Sequence, residues 1–124
     1  MNYSLENLKV WQSSRELVKE IHQITSSFPQ DEIFGLAVQL RIASLSVSNN
    51  TTEGSIRWSK TDQSKYYQIA FSDLIVVLNQ LILATHLNYL QEDQLAALRT
   101  KIDSTGKLLR TLTSNKSKVE RLKG

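Results

Sequence analysis

The residues that could do chemistry are few and scattered. The only imidazoles are His22 and His86. His22 stands beside Ile21 in a helical pattern, with no second ligand at metal-binding spacing on its face. His86 falls near a helix end, where an imidazolium meets the negative end of the helix dipole. Adjacent carboxylates occur only as Asp31-Glu32 and Glu92-Asp93, a pattern that suits the first turn of a helix. The chain has no cysteine, hence no thiol nucleophile, thiolate metal site or disulfide framework. No GxSxG, Walker A or GxGxxG run is present, and Gly35 and Gly54 are isolated. The expectation is a non-enzyme with no metal and no cofactor.

Two constellations remain. The first is a polar stripe on the second helical segment: Gln39, Ser46, Asn50, Glu53 and Arg57, in steps of seven, four, three and four. It reads as a solvated face with Glu53 and Arg57 as an i,i+4 pair, as a polar network that sets the register of an assembly, or as a ligand contact. The second mixes basic and aromatic side chains. Arg57, Trp58, Lys60 and Lys65, followed by Tyr66 and Tyr67, can neutralise phosphates and stack on bases. Trp58 is the informative member, because no apolar periodicity claims it, although it also suits a lid over the end of a core. Arg41 completes the candidate nucleic-acid set in the body of the chain.

Charge divides the chain unevenly. Residues 1–115 hold eleven basic and eleven acidic side chains, so the net charge of +3 arises in residues 116–124. There Lys116, Lys118, Arg121 and Lys123 face only Glu120. Such a segment serves as an arm for an anionic partner or as a solvated helix end. The expected organisation is a bundle over 1–115 and a basic tail or helix extension over 116–124.

Four segments must position these residues. Val10, Leu17, Ile21, Ile24 and Phe28, widened by Trp11 and Val18, follow the three-four spacing of an amphipathic helix. Phe28-Pro29 ends it, since the residue before proline is pushed out of the helical region. A second helix is expected from Pro29–Glu32 to about Gly54. A third follows Ser59, which with Asp62 resembles a capping box, and reaches about His86. Asn88-Tyr89 interrupts, and Glu92-Asp93 open a fourth helix with the cleanest repeat in the chain: Leu95, Leu98, Ile102, Thr105, Leu109, Leu112. Gly106 lies inside it, either for close helix approach or as a tolerated glycine. No comparable strand alternation occurs and the connections are short, which predicts an all-α, antiparallel up-down-up-down four-helix bundle. Its expected core contains Trp11, Ile21, Leu36, Leu40, Val47, Leu74, Leu81, Leu95, Leu98, Ile102 and Leu109.

The second helix has two apolar sectors. Ile33, Leu36, Ala37, Leu40, Ala43 and Val47 make one; Phe34, Val38, Ile42 and Leu45 make the other. A helix in a monomeric bundle needs one such face. The second sector therefore predicts a homo-oligomer interface, with Asn50 and Glu53 beside it, against the alternative of a wide core face left partly exposed.

With 124 residues, 40% hydrophobic and 22% charged, the chain is one globular domain rather than a disordered one. The N-terminus has neither a basic nor an apolar leader segment. Residues 66–87 are apolar but broken by Gln68, Ser72, Asp73, Asn79, Gln80 and His86, which reads as a buried helix rather than a membrane span. A cytoplasmic protein with no membrane partner is expected.

Several runs resemble a known family. They are Leu8-x-Val10-Trp11-Gln12, Phe28-Pro29, Phe34-Gly35-Leu36-x-x-Gln39-Leu40-Arg41, Ser46-Val47-x-x-Asn50-x-x-Glu53-Gly54-x-x-Arg57, and Tyr66-Tyr67-x-Ile69-Ala70-x-Ser72. Together they resemble the four-helix-bundle proteins labelled 23S rRNA-intervening-sequence proteins, over about residues 5–90. The resemblance implies a ring-like homopentamer without enzymatic activity. A similar bundle is the accessory variability protein of diversity-generating retroelements, which implies RNA or DNA binding beside a protein partner such as a reverse transcriptase. The rival expectation is an adaptor ring that binds only protein. Where the family carries Ile-Pro-Ala-Asn-Ile-Ala-Glu-Gly, this chain has Val47-Ser48-Asn49-Asn50-Thr51-Thr52-Glu53-Gly54, without the proline and with two threonines in apolar places.

Overall fold

The computed structural model describes the backbone of residues 5–32 and 35–123, and the side chains of residues 5–31 and 35–113. Four helices account for most of it: α1 (Lys9–Thr25), α2 (Leu36–Ile56), α3 (Lys60–His86) and α4 (Glu92–Lys123). Among the described residues there is no strand. Each helix packs on its sequence neighbours, and α1 also packs on α4, closing a four-membered bundle. Cross-helix pairs set the directions. Asn50 meets Asp73 while Arg57 meets Tyr66, so α2 and α3 run antiparallel. Ser13 bonds Thr105 and Glu16 bonds Lys101, so α1 and α4 do too.

Helix ends follow local chemistry. Ser59 Oγ accepts the Asp62 amide at 3.1 Å, the expected N-cap of α3. At the other end Asn88 adopts φ 64°. Its N–H donates to the Thr85 carbonyl at 3.0 Å and that of Tyr89 to Ala84 at 2.9 Å, a Schellman closure that satisfies the last carbonyls. The expected start of α2 is corrected. Gln30–Glu32 form a single 3-10 turn, and α2 begins only at Leu36, where Gln39 N–H donates to the Gly35 carbonyl at 3.1 Å. Pro29 allows the turn at Gln30–Glu32, and the helix proper follows Gly35.

The core runs the length of the bundle through Leu17, Ile21, Leu40, Val47, Leu74, Leu81 and Leu109, all fully buried. Each such side chain contributes about 1.5–3 kcal/mol by leaving water. Leu95, Leu98 and Ile102 are buried as expected. Trp11 and Leu36 are not: Leu36 packs half-buried against the core, and Trp11 stands at the rim of the buried arc, its ring 5.3 Å from the Arg15 guanidinium. An indole at the boundary keeps its polar edge in water.

The helices approach closely on hydroxyl residues. Thr51 is fully buried in α2 and donates to the Val47 carbonyl at 2.7 Å. Ser44, Thr25 and Thr85 likewise donate to carbonyls of their own helices. A hydroxyl that returns to its own helix leaves no polar group stranded. Of the two threonines that depart from the family block, Thr51 therefore fits the interior. Thr52 is half-buried and donates to the Ser48 carbonyl at 3.0 Å, and α2 is continuous through both.

Candidate nucleic-acid interface and self-association face

Between α2 and α3 the polar stripe becomes a chain of contacts. Ser46 Oγ donates to Asp73 Oδ2 at 2.7 Å, and Asn50 Nδ2 donates to the same oxygen at 3.0 Å. One turn on, Arg57 pairs with Glu53 at 2.8 Å. The same guanidinium donates to the Tyr66 hydroxyl at 3.1 Å and lies 4.6 Å over that ring. Gln63 Nε2 then donates to the Arg57 carbonyl at 2.9 Å. Ser46 and Asn50 thus act within the chain to set the register of α2 on α3, while Glu53 and Arg57 form the part-solvated i,i+4 pair. Gln39 is exposed. Asp73, the acceptor that organises the network, was not a sequence candidate. Its signal was an acid inside the apolar run of α3, which identifies no partner until α2 is docked.

The same two helices carry an outward apolar face. Ile42 is 57% exposed and Leu45 49% exposed; Val38 is half-buried. On α3, Ile69, Val76 and Leu83 are exposed as well. By length and composition α3 is apolar enough to cross a membrane, yet only 33% of its most apolar stretch is buried in the bundle. The expectation of a buried helix therefore holds for Leu74, Val77 and Leu81 and is corrected for the opposite side. Next to these residues, Gln80 Oε1 is a buried oxygen without a hydrogen-bond partner. Phe34 lies outside the described residues.

The basic candidates do not converge. Arg41 is held at the far end of α2, its Nε donating to Thr25 Oγ1 at 2.8 Å and Nη2 to the His22 carbonyl at 3.5 Å. Sixteen residues at 1.5 Å each put it about 24 Å from Arg57. Arg57, Trp58, Lys60 and Lys65 do cluster around the α2–α3 turn, but Arg57 is neutralised by Glu53. Trp58 is 90% exposed, so it is no lid over the core. Beside it is a shallow recess whose walls include the acids Glu53 and Asp62. The side chains of Lys116, Lys118, Arg121 and Lys123 lie outside the described residues. Among the described residues, no three His, Asp or Glu side chains gather as a metal site would require.

A closed bundle of four helices with a polar α2–α3 seam and a bare apolar flank defines an all-α helical-bundle protein. The chain belongs to the family of 23S rRNA-intervening sequence proteins, whose profile matches residues 6–111. Among solved structures it is similar to a protein of unknown function from the S23 ribosomal protein family of Bacteroides thetaiotaomicron. The TM-score is 0.78 at 19% identity, covering 85% of this chain and 95% of that one. That likeness establishes the shared fold. No curated protein matches the chain.

Proposed function

We propose that the chain is a non-enzymatic accessory protein of the cytoplasm that self-associates into a ring, a homopentamer by family resemblance, and binds RNA or DNA with little sequence preference beside a protein partner such as a reverse transcriptase. One arrangement carries the reading: Ile42, Leu45, Val76 and Leu83 lie bare on α2 and α3, and the same helices lead into a turn with exposed Trp58, Lys60 and Lys65. Apolar flanks on this scale mark protein contacts. A copy packed there would cover them and bring several turns and several +3 chains onto one assembly. Weak phosphate contacts, repeated, give avidity of about 10² or more when the sites reach one ligand together.

The second reading, an adaptor ring that binds only protein, is favoured by the neutral 1–115 body and by the Glu53–Arg57 pair. Two measurements separate them. Light scattering at micromolar concentration should return a multiple of 14.1 kDa; the monomer mass refutes self-association. Labelled RNA and duplex DNA are then titrated at low and physiological salt, with the full chain and with a chain ending at Asn115. Binding that falls steeply with salt supports the nucleic-acid reading. No binding at low salt leaves the adaptor. Equal binding by the shortened chain removes the basic tail from the site.

A further inference from the structure

The outward side of α1 holds a second group of cations, apart from those of the Arg57–Lys65 turn. At 100° per residue, Trp11, Arg15, Val18, Lys19 and His22 fall within one arc of about 100°, and no acid falls in it. A shallow groove of about 530 Å³ lies along this side of α1 from Trp11 to His22, with Gln12 and Glu16 in its wall beside the cations. The neighbouring Glu16 bonds Lys101 on the α4 side. Neither Arg15 nor Lys19 is in an ion pair among the described residues. At the far end α2 adds Arg41, whose guanidinium is fixed against Thr25 and the His22 carbonyl. The half-buried Trp11 ring braces Arg15 at the near end, 5.3 Å away.

We infer that this face of α1, closed by Arg41, is where the phosphodiester backbone of a nucleic acid lies. The inference rests on the nucleic-acid reading above and moves its main contact from the α2–α3 turn to α1. From Arg15 to Thr25 the helix rises about 15 Å, the axial rise of roughly four base-pair steps of a duplex at about 3.4 Å each. Three cations span that distance. Two are arginines, whose planar fork suits phosphate oxygens better than a point charge does. An acidic protein segment would gain less from Arg15, which is stacked on Trp11 and leaves its outer guanidinium plane for a base to pack on.

The test uses the full-length protein, a labelled duplex DNA of about twenty base pairs, and salt from 50 to 200 mM. Arg15→Gln with Lys19→Gln removes two phosphate contacts, each worth about 0.9 in the slope of log affinity against log salt. Across this fourfold salt range the native protein should then lose about 12-fold more affinity than the variant. The charge-preserving pair Arg15→Lys with Lys19→Arg should keep the native slope. The Lys60→Gln, Lys65→Gln pair should change the slope less than the α1 pair does. A native slope in the α1 variant, with binding lost in the turn variant or on truncation after Asn115, overturns the inference and leaves the proposed function standing. A slope lost in the charge-preserving pair assigns the effect to packing and also overturns it. Displacement of the DNA by poly-glutamate at equal charge concentration overturns the choice of nucleic acid over an acidic protein. No DNA binding by the native chain at 50 mM salt overturns the inference and the nucleic-acid function together.

Discussion

Two helical glycines should respond to alanine with opposite signs, and the difference comes from what surrounds them. A Cβ at Gly54 would lie 2.7 Å from Tyr67 Cε1, 2.8 Å from Tyr67 Cδ1 and 3.2 Å from the Gln63 carbonyl. Tyr67 is buried, and its hydroxyl lies 3.2 Å from Ser55 Oγ, so its ring cannot swing aside freely. A Cβ at Gly106 would meet Phe71 at 3.4 Å and Leu74 at 3.5 Å, which is ordinary contact. Alanine is worth about 0.8–1 kcal/mol over glycine in a helix interior, and this gain applies at both sites. Overpacking costs about 1–3 kcal/mol and applies only at Gly54. Gly106→Ala should therefore gain about 1 kcal/mol, and Gly54→Ala should fall below it by about 1–3 kcal/mol. For a chain of this length 1 kcal/mol moves Tm by about 4 °C. Thermal melts at one fixed protein concentration should thus separate the variants by roughly 4–12 °C. Relieving the clash with Tyr67→Leu should shrink the cost of Gly54→Ala, a coupling that a double-mutant cycle reads directly. If Gly54→Ala melts at or above Gly106→Ala, the close approach of α2 to α3 at Tyr67 is wrong.

Two further outcomes follow from the polar contacts. Asp73→Ala leaves Ser46 and Asn50 without their shared acceptor and should cost about 1–3 kcal/mol in urea unfolding, with Asp73→Asn costing less; native stability in Asp73→Ala would show that the seam does not hold the helices. The hydrogen bond and charge of Lys101 hold the Glu16 carboxyl below its usual range, and Glu16 in turn raises Lys101. A carboxyl lowered by folding adds stability above its ordinary pKa and loses it as pH falls through the folded value. The raised ammonium keeps its contribution below its ordinary range and loses it only as pH rises through the folded value. Glu16→Gln should therefore lose less stability than the native protein on acidification through about pH 4, and parallel pH curves would refute the pairing.

Helix number, order and most of the core were legible in the residues themselves. Three-four spacing reports which side of a helix faces inward, and Leu95, Leu98, Ile102 and Leu109 duly fall on the buried side of α4. Ser59 and Asn88 mark the ends of α3 because capping depends on neighbours within a turn. The polar stripe of α2 was equally visible, but its role was not. Whether Asn50 faces water, a ligand or another helix depends on what α3 brings opposite it, and Asp73 is distant in sequence though it supplies the accepting oxygen. Charge behaved in the same way. The i,i+4 pair of Arg57 with Glu53 is local to the end of α2 and could be read along the chain, whereas only docking sets Arg41 against Thr25 and the His22 carbonyl of α1. Periodicity is a property of one helix and can be read from its own residues, whereas a hydrogen bond or a charged face between helices exists only once their register is set.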